Sequence, residues 1–412
     1  MTTAWHTAVG SVAIAAMQSL SSPVLHVAAG GEESLPRCAP ALSFDGDAVA
    51  FTSAAALVAL DRNERPDVYV LDQGRQQVEL VSRTRTGGAG NKGSYCPTIS
   101  RDGRFVAFLS DASDLTAGGE FDTPGIFLAD RLAGSTIRLT ARFDNGMWFG
   151  NPVLSGDGTH VLFTATRLSD PPDIRRHDVV LLTIADARAA VLGVGSDPSL
   201  SDDASVVAFE ESGPPRRVWI HDGLTARAVT GRDGAGPDGD TFAPRLSGDG
   251  RWLAFVSRAG NMLSHPERGG RAQVYIQRVD GSDRALVSMT RTGAGGNGTS
   301  TAPSIDHSGE RVTFHSRASN LACVDRRRCQ EDVNLVNDVF VWDRRTRRVQ
   351  QVSGLGPEPW MDPSETPGIS GDGRVIAFLS RHPMHEGDGR RTYDLFLRQS
   401  PVVLLPERRG TR

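Results

Sequence analysis

Residues 97–110, PTISRDGRFVAFLS, decide the fold. Their Asp-Gly pair stands between two apolar runs. Glycine accepts the positive φ of a tight hairpin turn, and the aspartate can hydrogen-bond to the backbone within the turn. The stretch therefore predicts a strand, a tight turn and a second strand carrying an apolar triplet that ends in Phe.

The same phrase occurs seven times along the chain. Its copies begin at Pro40, Pro97, Pro152, Pro198, Pro244, Pro303 and Pro367. Two copies are degenerate: the fourth has Asp203-Ala204 in place of Asp-Gly, and the sixth has Ser308-Gly309 after Asp306. The turn positions lie 46 to 64 residues apart. A repeat of roughly 40 to 50 residues, lengthened by loops, is what a four-stranded propeller blade needs.

Two further strands follow most copies. Residues 67–72 (DVYVLD) precede the apolar residues 78–81, and residues 338–343 (DVFVWD) precede residues 349–352. Their near-continuous apolarity is typical of sheets that pack on both faces. We therefore predict an all-β fold, a seven-bladed β-propeller of four-stranded blades, with a six-bladed ring as the alternative.

The two ends of the chain offer a way to close the ring. Residues 24–31 (VLHVAAGG) precede Pro40 much as residues 285–293 precede Pro303. An N-terminal strand that pairs with the last blade would leave no free edge. Residues 402–405 are the alternative partner. We divide the chain into an N-terminal segment at 1–21, a single propeller domain at 22–405 and a basic tail at 406–412.

The repeat resembles a known family. Residues 318–321 (ASNL) before residues 337–340 (NDVF), and residues 87–97 before Ile99-Ser100, are similar to the TolB-like, WD40-like (PD40) repeats of bacterial propellers. The resemblance covers residues 24 to 397, and the third and fourth units depart from it. It implies a bacterial, often exported protein of binding or unknown function, and it names no ligand because fold alone does not determine function.

Net charge, hydropathy and the catalytic motifs together limit the functions that the sequence supports. The 412 residues carry a net charge of −4, so no overall basic field favours nucleic-acid binding. No segment approaches the roughly 20 apolar residues of a membrane span. The catalytic motifs Gly-x-Ser-x-Gly, Gly-x4-Gly-Lys-Ser/Thr and His-Glu-x-x-His are absent from the sequence. We expect a monomer with no cofactor, no nucleic-acid partner and no membrane-spanning segment.

The N-terminal segment has two interpretations, and they imply different cellular locations for the protein. Residues 8–17 are weakly apolar and residues 28–30 are small, as in a cleaved signal, yet no Lys or Arg precedes Arg37. The segment either is such a signal or packs on the propeller. A signal ending near Ala29 would remove the closing strand. We expect a periplasmic or extracellular protein, with a cytoplasmic one as the alternative.

The four cysteines form two sequence pairs. Cys323 and Cys329 share one loop with five residues between them, a span suited to a local disulfide in an oxidising compartment. Cys38 and Cys96 occupy nearly matching positions in successive units, which adjacent blades could bring together. Free thiols are the alternative for both pairs. Neither pair has the ligand spacing of a zinc site.

One face of the predicted propeller is rich in histidine and aromatic residues. It carries the loops between second and third strands and the loops that link blades. The candidate ligand-binding residues there are His177, His265, His382, His385, Trp148 and Trp360. Aromatic rings stack on ligands and neutral histidine hydrogen-bonds to them, although long loops also collect polar residues without any function.

Three hypotheses for function follow. We expect a non-enzymatic binding or scaffold protein that holds a protein or glycan on the loop rim or in the central channel. A metal-dependent polysaccharide lyase or hydrolase using the rim histidines is one alternative. An envelope component resembling the TolB translocation protein is the other. The sequence assigns no catalytic and no metal-binding residue.

Overall fold

A computed structural model gives the architecture. It describes residues 15–17, 24–27, 38–117, 123–143, 146–167, 177–211, 213–223, 225–263, 270–321, 336–353, 362–381 and 393–401. In these ranges the chain forms only strands, turns and irregular segments, arranged in seven antiparallel sheets. The all-β, seven-bladed prediction is confirmed, and the six-bladed alternative is wrong. No helix long and apolar enough to cross a membrane occurs in the same ranges.

In blades 1 to 6 the strands run in sequence order from the axis outward, and in blade 7 two N-terminal strands follow the third strand. Blade 1 consists of Ala41–Leu42, Ala48–Ser53, Asp67–Asp72 and Gln77–Leu80. Blade 2 consists of Ser94–Ile99, Phe105–Ser110, Gly125–Asp130 and Ser135–Arg138. Blade 3 has a split inner strand, Met147–Phe149 and Val153–Leu154, followed by His160–Arg167, His177–Thr183 and Arg188–Val194.

The remaining blades repeat this pattern. Blade 4 consists of Ser196–Leu200, Val207–Glu211, Arg217–His221 and Ala226–Ala228. Blade 5 consists of Thr241–Leu246, Trp252–Ser257, Gln273–Arg278 and Ala285–Leu286. Blade 6 consists of Ser300–Ile305, Arg311–Ser316, Asp338–Asp343 and Arg348–Gln351. Blade 7 consists of Ser364–Ile369, Val375–Ser380, Asp394–Gln399, Val24–Val27 and Ala15–Met17.

Each copy of the repeat folds as the innermost hairpin of a blade. In blade 2, the Ser100 hydroxyl donates to Asp102 Oδ1 at 2.6 Å and accepts the backbone N–H of Phe105 at 2.9 Å. Gly103 has a φ of 72°, which favours glycine because a Cβ is crowded in the left-handed region. The recurring Ser, Asp and Gly are turn-forming residues, as the sequence predicts.

The degenerate sixth copy preserves the turn by exchanging two residues. Asp306 stands where other copies have Ser, and Ser308 stands where they have Asp. The Ser308 hydroxyl donates to Asp306 Oδ1 at 3.4 Å, and the Asp306 carboxylate accepts the backbone N–H of Glu310 at 2.8 Å. Burial raises the pKa of Asp306 to about 6. The hydrogen-bond partners are conserved although their order is reversed.

The repeated proline lies at a β-bulge on the innermost strand. In five blades the pairing register shifts around the residue before the proline, and that residue has a positive φ. These residues are Cys96, Asp197, Ala243, Ala302 and Thr366. The innermost strand is a sheet edge that faces the axis, so the missing N–H of proline interrupts no ladder. Four of these five residues, all except Ala243, line the central channel.

The ring closes through the N-terminus. Val24–Val27 pairs antiparallel with the third strand of blade 7, from Val24 opposite Arg398 to Val27 opposite Leu395. The predicted N-terminal closing strand is confirmed. Residues 402–405, the alternative partner, lie outside the described residues. Ala15–Met17 then adds a fifth strand to the same sheet. The first and last parts of the chain are joined in one blade, which ties the propeller shut.

Candidate functional site

The axial channel is a candidate binding site. It has a volume of about 700 Å³ and is lined by six of the seven repeat prolines: Pro40, Pro97, Pro152, Pro198, Pro303 and Pro367. Sites for small ligands usually measure about 300 to 1,000 Å³. We call the end at Cys38 and Ala39, where the inner strands begin, the mouth of the channel.

The opposite end is formed by a ring of seven backbones, which we call the floor ring. Each hairpin turn contributes the residue that follows its first polar residue, which is Ser in six copies and Asp306 in the sixth. The seven members are Phe44, Arg101, Gly156, Asp202, Gly248, His307 and Gly371. Seven hydrogen bonds connect consecutive blades at this level and return from blade 7 to Phe44. Hydrogen-bonded backbones lie about 4.8 Å apart, so the floor ring has a radius of about 5.5 Å.

Four side chains of the floor ring lie in contact across this opening. The Arg101 guanidinium lies 3.9 Å from the centre of the Phe44 ring, and Phe44 meets the His307 ring edge-on at 5.6 Å. His307 Nδ1 is 2.8 Å from Asp202 Oδ2. A Cβ on any of the three glycines would overlap one of these side chains. The glycines therefore make room for a row of side chains that lies across the floor of the channel.

One ion pair lies on the channel wall. Arg245 Nη1 donates to Asp197 Oδ1 at 2.9 Å and to the Pro244 carbonyl at 2.6 Å, which joins blades 4 and 5. Both side chains are more than one-third exposed. Sequence analysis did not single out this pair. A signal was present, because the residues after the seven prolines are Ala41, Thr98, Val153, Ser199, Arg245, Ser304 and Gly368, and only Arg245 is charged.

A second polar cluster joins blades 6 and 7 on the mouth side. The backbone N–H of Thr366 donates to His315 Nδ1 at 3.3 Å, and His315 Nε2 lies 2.7 Å from the Thr301 hydroxyl. Since Nδ1 accepts, Nε2 carries the proton of a neutral imidazole and donates to Thr301. The Glu365 carboxylate accepts from Asn337 at 2.8 Å. These bonds hold two blades together at the mouth.

Two of the six predicted rim residues come close together in blade 3. Trp148 pairs with Thr166, and Thr166 pairs with His177, so the three lie in one row across the sheet. The Thr166 hydroxyl is 2.6 Å from His177 Nδ1, and Trp148 is 53 % exposed. The other four predicted residues, His265, His382, His385 and Trp360, lie outside the described residues. Within the described ranges, no group of three or more His, Cys, Asp or Glu side chains is placed to hold a metal ion.

A disulfide lies at the mouth. Cys38, just before blade 1, is bonded to Cys96 on the innermost strand of blade 2, with their Cα atoms 5.1 Å apart. Adjacent blades do bring this pair together. Cys323 and Cys329, the other predicted pair, lie outside the described residues.

Comparisons with known proteins identify the architecture. No protein-family model and no curated protein matches the sequence. The chain is similar in structure to oligogalacturonate lyase from Vibrio parahaemolyticus, with a TM-score of 0.60 and 14% identity over 96% of this chain and 99% of the other. An oligogalacturonate lyase in complex with manganese gives a TM-score of 0.59 and 14% identity, with the same coverage of each chain.

A TolB-type structure is also similar. For the putative TolB from Agrobacterium tumefaciens the TM-score is 0.42 and the identity 17%, over 79% of this chain and 95% of the other. At these identities the likeness to the two lyases extends to the propeller fold alone, and function must be argued from the site.

Proposed function

We propose that the protein is a non-enzymatic binding or scaffold module that holds a protein or glycan partner at the mouth of its axial channel. The observation that carries this proposal is the form of the channel. It is a cavity of about 700 Å³ with a row of side chains across the floor, so a partner enters from the mouth. A concave site that combines apolar surface with a few polar groups placed to orient the ligand is the usual form of a binding site. The channel combines apolar prolines and alanines with hydroxyl and charged side chains.

The mouth side has the features of a contact surface. Trp148 exposes half of its surface beside His177, and aromatic side chains contribute large contact areas at interfaces. The disulfide between Cys38 and Cys96 supports an oxidising compartment, periplasmic or extracellular, because disulfides persist there and are rare in the cytosol. An exported binding protein is consistent with both features.

The two alternatives have less support in the described residues. Of the four rim histidines proposed as metal ligands, only His177 is described, and it hydrogen-bonds to Thr166. The envelope translocation role rests on the family resemblance.

Occlusion of the channel tests the proposal. Ala39 lines the mouth and is exposed, so Ala39→Trp should fill the entrance without disturbing a core. Ala133, in an exposed turn on the outside of blade 2, provides the matched control Ala133→Trp. Wild type and both variants would be screened on a glycan array and by affinity capture from the periplasmic fraction of the source cells. The proposal requires a partner that wild type and Ala133→Trp retain and Ala39→Trp loses. No partner, or equal capture by all three proteins, contradicts it.

A further inference from the structure

The Arg245 guanidinium presents an unused hydrogen-bonding edge to the channel. Both hydrogens of Nη1 are committed, one to Asp197 and one to the Pro244 carbonyl. Among the described residues nothing accepts from Nε or Nη2. These two nitrogens form the edge of arginine that binds a carboxylate with two parallel hydrogen bonds. The wall of the channel therefore carries an oriented donor pair.

Asp197 holds this donor pair in place. Its backbone has a φ of 46°, at the bulge before Pro198, and aspartate tolerates this region better than most residues. The bulge positions Oδ1 at 2.9 Å from Arg245 Nη1. With the side chain held from one edge, the opposite edge loses little further freedom when a ligand binds. Asp197 is thus a positioning residue for Arg245.

The residues that line the channel around Arg245 determine which chemical group can carry a bound carboxylate. The prolines on the wall present rigid apolar rings, and Ala39, Ala41 and Ala302 add small apolar surfaces beside uncharged Ser, Thr and Asn side chains. Among the described residues that line the channel, Asp197 and Arg245 are the only charged ones. An apolar stem fits this wall, whereas a polyanion would meet one cation that Asp197 already partly neutralises.

We propose that the channel binds a carboxylate carried on an apolar stem, with the carboxylate on Nε and Nη2 of Arg245. This inference rests on the proposed function, because it names the chemical group of the partner that enters the channel. A small organic acid and the C-terminus of an apolar peptide present the same chemistry.

Acid and amide pairs test the inference. The probes are 3-phenylpropionate with 3-phenylpropionamide, and an N-acetylated apolar tripeptide as free acid and as C-terminal amide, each titrated by calorimetry and ligand-observed NMR. For at least one pair, wild type should bind the acid about tenfold more tightly than the amide, because only the acid forms charge-assisted bonds to Arg245. The pair with the larger preference identifies the source of the carboxylate.

Four variants separate recognition from a structural role. Arg245→Leu should abolish the acid preference, and Arg245→Lys should reduce it because lysine offers no planar donor pair. Asp197→Asn keeps an acceptor for Nη1 and removes a negative charge, so acid binding should tighten about threefold. Arg251→Leu changes an exposed arginine in the floor-side turn of the same blade and should leave binding unchanged. If Arg245→Leu does not fold, Arg245→Lys and Asp197→Asn decide the matter.

The outcomes distinguish this inference from the proposed function. Equal binding of acid and amide by wild type, or an acid preference that survives in Arg245→Leu and Arg245→Lys, overturns the carboxylate subsite. If at the same time Ala39→Trp still loses a captured partner, the channel remains a binding site of different chemistry. If no probe binds and no partner is captured, both proposals fail.

Discussion

His307 Nδ1 donates a hydrogen bond to Asp202 Oδ2 at 2.8 Å, although His307 belongs to blade 6 and Asp202 to blade 4. The residue between them in the floor ring is Gly248, in blade 5. A side chain at position 248 would occupy the space through which the two groups meet. The floor of the channel therefore depends on an alternation of large residues and glycines around the axis.

The first prediction concerns Gly248. In Gly248→Ala the new Cβ overlaps both His307 and Asp202, so the pair must separate. Overpacking of this kind costs about 1 to 3 kcal/mol in the free energy of unfolding. Gly236→Ala is the control, since a Cβ there has no heavy atom within 4 Å. Denaturant unfolding compares the two, and equal stability of both variants would show that the floor has spare room.

The second prediction concerns the disulfide between Cys38 and Cys96. It spans 58 residues, and in the chain-entropy model a loop of this length stabilises by about 4 kcal/mol. The double variant Cys38→Ser/Cys96→Ser should unfold at a correspondingly lower denaturant concentration. Adding a reductant should lower the stability of wild type more than that of the variant. An identical effect of reductant on both proteins would locate the sensitive bond elsewhere.

The third prediction is a pH dependence at Asp67. Burial raises the pKa of this carboxyl to about 7, against hydrogen bonds from Ser82 and Asn63 that lower it. The folded state then holds a proton that the unfolded state releases above its pKa of about 4. The resulting stabilisation is complete below pH 4 and is lost as pH rises to 7, at about 1.4 kcal/mol per unit.

Asp67→Asn isolates this effect because asparagine does not titrate. The unfolding free energy of wild type minus that of the variant should fall between pH 4 and pH 7 and be level above that range. Subtracting the variant removes the contribution of other groups, including Asp306, whose pKa burial also raises. A difference that does not change with pH would show that Asp67 is ionised throughout.

The fourth prediction tests closure of the ring. Deleting residues 1–30 removes Val24–Val27 and exposes the edge of Asp394–Gln399. Losing two to four backbone hydrogen bonds should cost about 2 to 4 kcal/mol, and the free edge should promote aggregation. Deleting residues 1–14 removes neither N-terminal strand and serves as the control. Chemical unfolding and light scattering check both variants; an unchanged 1–30 deletion would mean that another segment closes the blade.

The sequence predicts much of the fold because the hairpin turns are held by contacts between residues that are close together in the chain. Each Ser-x-Asp-Gly turn is held by bonds that span two to five residues, as between Ser100, Asp102 and Phe105. Such contacts can be inferred from spacing alone. Trp148 and His177, which the sequence placed in loops, lie instead on strands of one blade, and their role as ligand-binding residues stays a prediction. The sixth copy reads as degenerate in the sequence. Only the hydrogen bonds in the structure show that Asp306 and Ser308 have exchanged positions and still hold the turn.

The sequence by itself determined the number of blades, the hairpin at the centre of each blade and the strand that closes the ring, because a repeated local pattern carries that information. Tertiary structure alone decided the site. Asp197 and Arg245 are 48 residues apart, and Asp202 and His307 are 105 apart. They meet because closure of the ring places equivalent positions of different blades around one axis. The repeated prolines form the wall of the channel there, and the two residues that break the pattern, Asp197 and Arg245, supply its charged groups.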